Sequence, residues 1–184
     1  MSGLGIRGGC VDIPCVTTER LVLRAFSEQD VAPLFAILQQ PGILRYYPRP
    51  DPPPRDVVER IVARQRTHWE EHGYGWWAVE TRDAPRLLGW AGLTYLPETG
   101  ETEVAYLLRQ EVWRRGLATE AAKATLRFGF DGFAFPFIIG LTHPENIASQ
   151  RVLEKSGLQF VEKAVYFGMD CFRYVIYRRD EVLP

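Results

Sequence analysis

The stretch Trp113-Arg114-Arg115-Gly116-Leu117-Ala118-Thr119-Glu120-Ala121 combines small residues, a pair of arginines and the start of a helical pattern. Small side chains at 116 and 118 let a ligand approach the backbone closely. The first N–H groups of a helix have no partner within it and point outward, where the helix dipole favours negative charge. These features make a cradle for a diphosphate, with Arg114 and Arg115 adding positive charge at its lip. The same residues would also serve as a plain strand-to-helix turn carrying surface arginines. The stretch is not a P-loop, because no G-x-x-x-x-G-K-[ST] occurs in the chain.

Other residues carry weaker signals. Gly3-Leu4-Gly5-Ile6-Arg7-Gly8 matches G-x-G-x-x-G, but no buried strand precedes it and Gly8-Gly9 would open a helix poorly. His68 and His72 stand four apart, a metal-binding spacing, yet no third ligand is evident and a helix-surface pair is expected. His143 precedes Pro144 and reads as a strand-end residue, with a proton shuttle as the alternative. Cys10, Cys15 and Cys171 are few, odd in number and not spaced for zinc, which fits unpaired thiols in a reducing compartment. The N-terminus lacks the long apolar stretch of a secretory signal, so a cytoplasmic protein is expected by elimination.

Positioning such residues takes an ordinary domain, and 184 residues with 46% hydrophobic content suffice for one. The Gly-rich residues 1–15 read as a loose tail, leaving 16–184 as a single domain. A strand is expected at Arg20–Arg24, and a helix starts at Ser27-Glu28-Gln29-Asp30 and stops at Pro41-Gly42. A stiff proline-rich loop covers Tyr46–Pro54. A helix follows over Asp56–His72, with Val57, Val58, Ile61, Val62, Gln65 and Trp69 on its stripe. Strands at Trp76–Thr81, Leu87–Leu93 and Glu103–Leu108 make an antiparallel meander. Then come a helix (Gly116–Phe128), a strand (Phe137–Leu141), a helix (Asn146–Lys155) and a strand pair (Phe160–Tyr166, Cys171–Tyr177). Trp76, Trp77 and Trp90 read as core. A net charge of −1 gives no basic footprint for nucleic acid, and no apolar run reaches the ~18 residues of a membrane span. The last strand, left exposed, could pair with another chain, so a monomer or a homodimer is expected.

Trp113–Ala121 resembles the acyl-CoA pyrophosphate loop of the GNAT superfamily of N-acetyltransferases, [Q/R]-x-x-G-x-[G/A]. It is closest to the RimJ/RimL-like branch of ribosomal-protein alanine acetyltransferases, which often has tryptophan first and continues A-T-E-A. Asn146-Ile147-Ala148-Ser149-Gln150-Arg151-Val152-Leu153-Glu154-Lys155-Ser156-Gly157 is similar to the family's N-x-x-S-x-x-V-L-E-K-x-G. Leu88-Gly89-Trp90-Ala91-Gly92-Leu93 ahead of Glu103–Leu108 is a third match in the family's order. Together the matches span about Thr18 to Arg178.

The resemblance implies an α/β fold, GNAT-like, with a mixed, mostly antiparallel central sheet of about seven strands and helices on both faces. It implies transfer of an acetyl group from acetyl-CoA, a co-substrate used without metal, to a primary amine in a ternary complex. The alternative is a module that binds acyl-CoA without turnover. By resemblance, the backbone of Tyr106, Leu107 and Leu108 holds the pantetheine arm like an added strand. Arg114, Arg115, Gly116, Leu117, Ala118 and Thr119 hold the pyrophosphate, while Asn146 and Ser149 face the thioester; Asn146 also suits a helix N-cap. Glu103 is the candidate base, or else a solvated strand residue near Glu101. A backbone N–H around Leu107 or Leu108 would receive the oxyanion. Many members carry a tyrosine general acid where this chain has Leu153, which leaves Ser149, Tyr106 or Tyr166 to assist the leaving sulfur. The acceptor would be lined by Tyr46, Tyr47, Arg49 and residues near Tyr166–Asp170.

Overall fold

The computed structural model describes residues 12–178. The G-x-G-x-x-G match and Cys10 lie outside them, as do the last six residues. Two short strands open the described chain, β1 (Val16–Thr17) and β2 (Leu21–Arg24). Ahead of them, the Pro14 carbonyl accepts from Trp77 Nε1 at 2.8 Å. A 3-10 turn at Glu28–Asp30 leads into α1 (Val31–Leu38). That turn forms where expected because Asp30 Oδ2 accepts from the Ser27 N–H at 2.7 Å and from Ser27 Oγ at 3.0 Å. The proline-rich loop leads into α2 (Arg55–His72), which stops at Gly73 in the left-handed conformation (φ 73°).

The meander follows as β3 (Trp76–Thr81), β4 (Leu87–Leu96) and β5 (Glu101–Leu108). Next come α3 (Leu117–Gly132), β6 (Phe137–Thr142), α4 (Ile147–Lys155), β7 (Gln159–Tyr166) and β8 (Met169–Tyr177). The sheet has eight strands rather than about seven, in the order β1-β2-β3-β4-β5-β6-β8-β7. The extra strand is the two-residue β1, too short to carry an alternation that a sequence pattern could reveal. The edges are β1 and β7, and the last described strand, β8, lies inside the sheet between β6 and β7. The expectation of an exposed last strand is therefore corrected.

All pairings but one are antiparallel. The exception joins β5 to β6 at a single register position, Glu103 opposite Ile139. Beyond it β5 stays paired to β4 as far as Leu108, and β6 stays paired to β8 as far as Thr142. The two strands part company there, and a gap opens in the middle of the sheet.

Side-chain alternation sorts the faces. Ala105, Leu107, Ala78 and Trp90 pack under Val31, Leu34, Val58 and Val62 of α1 and α2, with Trp76 stacked on Trp90 at 3.8 Å. Val104, Leu108 and Trp77 pack under Leu117, Ala121 and Leu126 of α3 and Leu153 of α4. Trp69, near the end of α2, reaches this second cluster and meets Trp77 edge-on at 4.9 Å. The tryptophans of the strands are thus core, as expected. His68 is more than a surface residue. Its ring stands 4.5 Å from His72 and 5.9 Å from Tyr74. Burial, then the neighbouring His72, hold it down at about 4.

Candidate active site

The gap has a chemically specific wall. The Arg109 N–H donates to Leu88 O at 2.7 Å, toward β4. Backbone direction alternates along a strand, so Leu107 also turns its N–H and carbonyl to β4. Tyr106 and Leu108 turn theirs to the side where β6 has left. Leu107, grouped with them on sequence grounds, contributes its side chain to the α1–α2 core instead. Trp113, half exposed, donates from Nε1 to Leu108 O at 2.6 Å and so ties the loop to the end of β5.

That loop ends in two left-handed residues separated by one, Arg114 (φ 63°) and Gly116 (φ 76°). Such alternation turns successive N–H groups toward one concave side. Gly116 is the N-cap of α3 and has no side chain with which to cap it. The first helical hydrogen bond is Glu120 N–H to Gly116 O at 3.0 Å. The N–H groups of Leu117, Ala118 and Thr119 precede it and have no acceptor in the helix. Arg114 and Arg115 are exposed beside them. An uncapped helix start, a left-handed turn and two exposed guanidinium groups thus come together at the place where the sequence suggested a cradle.

On the far side of the gap, Asn146 Oδ1 caps α4 by accepting the Ser149 N–H at 3.1 Å. Its role as an N-cap is thus observed. Ser149 Oγ lies 3.0 Å from the Tyr106 hydroxyl, which also donates to Ser149 O at 3.2 Å. This contact joins β5 to α4 across the open sheet. Burial first, with Glu103 and Tyr174 adding to it, pushes the Tyr106 phenol well above its ordinary value. Leu153, at the position of the missing tyrosine, is 1% exposed. Its side chain fills the place that a Cβ on Gly140 of β6 would occupy, 2.5 Å away. The leucine packs α4 against β6.

Glu103 and Glu101 stand on one face of β5, the face of Leu107, with contrasting environments. Burial would raise Glu101, but hydrogen bonds from Arg173 and Tyr166 prevail and hold it below the ordinary value. Arg173 Nη2 lies 2.6 Å from Glu101 Oε1, and the Tyr166 hydroxyl donates to Oε2 at 2.8 Å. Glu103 has no cation. Burial pushes it up to about 8, against one opposing hydrogen bond from the Leu141 backbone. By accessible surface it is half-buried. Two carboxylates two residues apart are thereby split into one that its partners hold ionised and one whose ionisation burial resists.

Above Glu103 lie residues of the loop between α1 and α2. Tyr47 packs against that helix pair, and its phenol is raised by burial and then by the charge of Glu103. Tyr46 stacks on His143, with ring centroids 5.3 Å apart and planes at 26°. The Pro-rich loop thus touches the residue that follows β6. Arg49 is exposed. Tyr166 faces the same side, with its hydroxyl engaged by Glu101. Cys171 is buried near Glu103, and burial raises its thiol. Reading the sequence missed the group that braces the loop from behind: Thr18, Arg20 and Glu120, which stand about a hundred residues apart in the chain. No local pattern signals a contact of that range.

Residues 20–159 match the model of the acetyltransferase (GNAT) domain. The chain is a GNAT acetyltransferase. Among its relatives is YoaA of Bacillus subtilis, an uncharacterized N-acetyltransferase, 29% identical over 79% of this chain and 83% of YoaA. An acetyltransferase from Agrobacterium tumefaciens shares the fold with a TM-score of 0.81, at 22% identity, over 95% of this chain and all of the other. The spermidine N-acetyltransferase of Vibrio cholerae, solved with CoA and spermine, has a TM-score of 0.70 at 19% identity, over 87% of this chain and 96% of that one. The eight-stranded sheet, split at Glu103, is this acetyltransferase's framework. Among the described residues, no helix is long and apolar enough to cross a membrane.

Proposed function

We propose that this enzyme moves the acetyl group of acetyl-CoA to a primary amine, a protein N-terminus or a small-molecule amine, by direct attack in a ternary complex. The observation that carries the reading is the opening between β5 and β6, bordered by an uncapped helix start on one side of the sheet and a raised carboxyl on the other. Backbone groups of Tyr106 pair with the pantetheine arm as a strand would, and the Leu108 N–H is left for the thioester oxygen. The amides of Leu117, Ala118 and Thr119, with Arg114 and Arg115, hold the diphosphate. The motif from Trp113 to Ala121 supports placement in the RimJ/RimL-like branch. Tyr46, Tyr47 and Tyr166 line the acceptor side, where the spermidine enzyme's likeness in fold also fits an amine acceptor.

The chain's own residues then divide the work. Ionised Glu103 takes a proton from the ammonium form of the acceptor, directly or through a water. The freed nitrogen lone pair forms the new C–N bond at the thioester carbon. The Leu108 N–H stabilises the oxygen that gains the charge. Collapse reforms the carbonyl and breaks the C–S bond; the Tyr106 hydroxyl, held by Ser149, protonates the departing sulfur and is made good by the second proton that the new amide nitrogen gives up, while Glu103 returns its proton to solvent. Its raised pKa keeps that hydroxyl protonated at neutral pH and makes the proton transfer to sulfur uphill, so its help is small. Since a thiol pKa lies near ~8.5, the sulfur can also leave unassisted, and Tyr106→Phe is expected to lower kcat by about tenfold rather than abolish it. Ser149→Ala, which removes one of the two contacts on that hydroxyl, should cost a few-fold, read by steady-state kinetics at saturating acetyl-CoA.

Leu153→Tyr would restore the family's residue without its function. The larger ring must enter a fully packed site over Gly140, at a cost of about 1–3 kcal/mol. Thermal melting of this variant should fall, and the double variant with Tyr106→Phe should gain no activity over Tyr106→Phe alone.

The reading is tested by incubating the protein with acetyl-CoA and a panel of amines and N-terminal peptides, following free thiol and product mass together. Stoichiometric thiol and acetylated amine support it. Tight binding of acetyl-CoA with no thiol released across the panel would favour the sensing module.

A further inference from the structure

We infer that Arg20, paired with the Glu120 carboxylate that Thr18 also holds, is a positioning residue that sets the diphosphate cradle from behind, an inference that rests on the acetyl-CoA reading above. Glu120 occupies the first turn of α3, where an unneutralised carboxylate would repel the diphosphate. Every contact around it answers that problem. Glu120 Oε1 accepts from the Thr18 hydroxyl at 2.6 Å and from the Arg20 N–H at 2.8 Å. Arg20 Nε donates to Glu120 Oε2 at 2.6 Å. Burial acts to raise Glu120, but these bonds prevail and keep it ionised and paired.

The same guanidinium has a second task. Arg20 Nη1 donates to the Arg115 carbonyl at 2.9 Å. A trans peptide is planar, and its C=O and the following N–H point opposite ways. Holding the Arg115 oxygen toward Arg20 therefore turns the Gly116 N–H away from it, to the side of the free amides of α3. Glu120 fixes the guanidinium, the guanidinium fixes the peptide plane, and the plane aims a donor. Lysine could not reproduce this, since one ammonium lacks the rigid fork that reaches carboxylate and carbonyl together. Arg20 and Glu120 touch no reacting atom in this scheme; they act through the loop.

The test compares the equilibrium affinity of two thioesters, acetyl-CoA and S-acetylpantetheine, the second lacking the diphosphate. In Arg20→Ala and Glu120→Gln, acetyl-CoA should bind about tenfold more weakly, while S-acetylpantetheine stays within about twofold of the unaltered protein. Thr18→Ser should keep the preference and Thr18→Val should lose part of it. A brace that merely stabilises the fold would weaken both thioesters alike, and that result overturns the inference. So does Arg20→Ala with its preference for acetyl-CoA intact. If the unaltered protein itself binds the two thioesters equally, the cradle reading falls, and the brace falls with it.

Discussion

Replacing Glu103 with glutamine is expected to lower kcat by about 100-fold and at the same time to make the protein more stable in alkaline solution. Both effects have one cause. Burial holds the Glu103 proton up to about pH 8 in the folded chain, whereas glutamate ordinarily releases it near 4.5. Below pH 4.5 the group is neutral in both states and its burial subtracts nothing. As pH rises from 4.5 through about 8, the unfolded chain ionises freely and the folded chain resists, so stability is lost progressively and levels off above 8. The loss is a few kcal/mol, at most on the order of 5 at 1.36 kcal/mol per pH unit. Glutamine has no proton to lose and escapes the penalty. Melting temperatures of the two proteins should therefore diverge as pH rises from 5 to 9, with the variant higher at the alkaline end. Turnover runs the other way. The carboxyl works only when ionised, so kcat should climb with pH toward a plateau near 8, and the variant should lose that climb. A variant with the parent's pH–rate profile would remove Glu103 from the mechanism, and melting curves that stay parallel across pH would remove its buried charge.

Gly116→Val is expected to weaken acetyl-CoA binding by about 100-fold, because it strikes the left-handed turn that aligns several donors at once. At φ 76° a side chain strains the backbone by about 1–2 kcal/mol, and a β-branched one by more. There is room for the side chain itself: the nearest atom to a Cβ at Gly116 is Arg20 Nη2 at 3.6 Å. The penalty therefore comes from the dihedral, and the loop should relieve it by rotating amides out of line with the diphosphate. Each hydrogen bond to a charged group contributes about 1.5–3 kcal/mol, so losing one or two accounts for the expected fall. Asparagine tolerates the left-handed region, and Gly116→Asn should cost only a few-fold. Calorimetric titration with acetyl-CoA separates the two variants. Equal losses for valine and asparagine would mean that space, not backbone conformation, limits the site. The brace from Arg20 to the Arg115 carbonyl acts on the neighbouring peptide plane, so Arg20→Ala and Gly116→Val are not expected to be additive.

Local chemistry determined much of this protein. The helix starts at Ser27 and Asn146, the stop at Gly73, the meander of β3 to β5 and the small residues ahead of α3 all follow from side chains acting on nearby backbone, over distances of a few residues. The order of elements was legible for that reason, and so was the helix start at Gly116. Tertiary structure alone decided what those elements do to one another. Glu101 and Glu103 are identical residues two positions apart; only the arrival of Arg173 and Tyr166 from distant strands holds one ionised and leaves the other with its proton raised by burial. Leu153 became a packing residue because α4 settles on Gly140, and Tyr106 met Ser149 because β5 and β6 part between them. Likewise Arg20 reached Glu120 only when β2 came to lie beside α3. Burial, pairing and peptide orientation depend on atoms far apart along the chain, and sequence spacing carries no record of distances that folding creates.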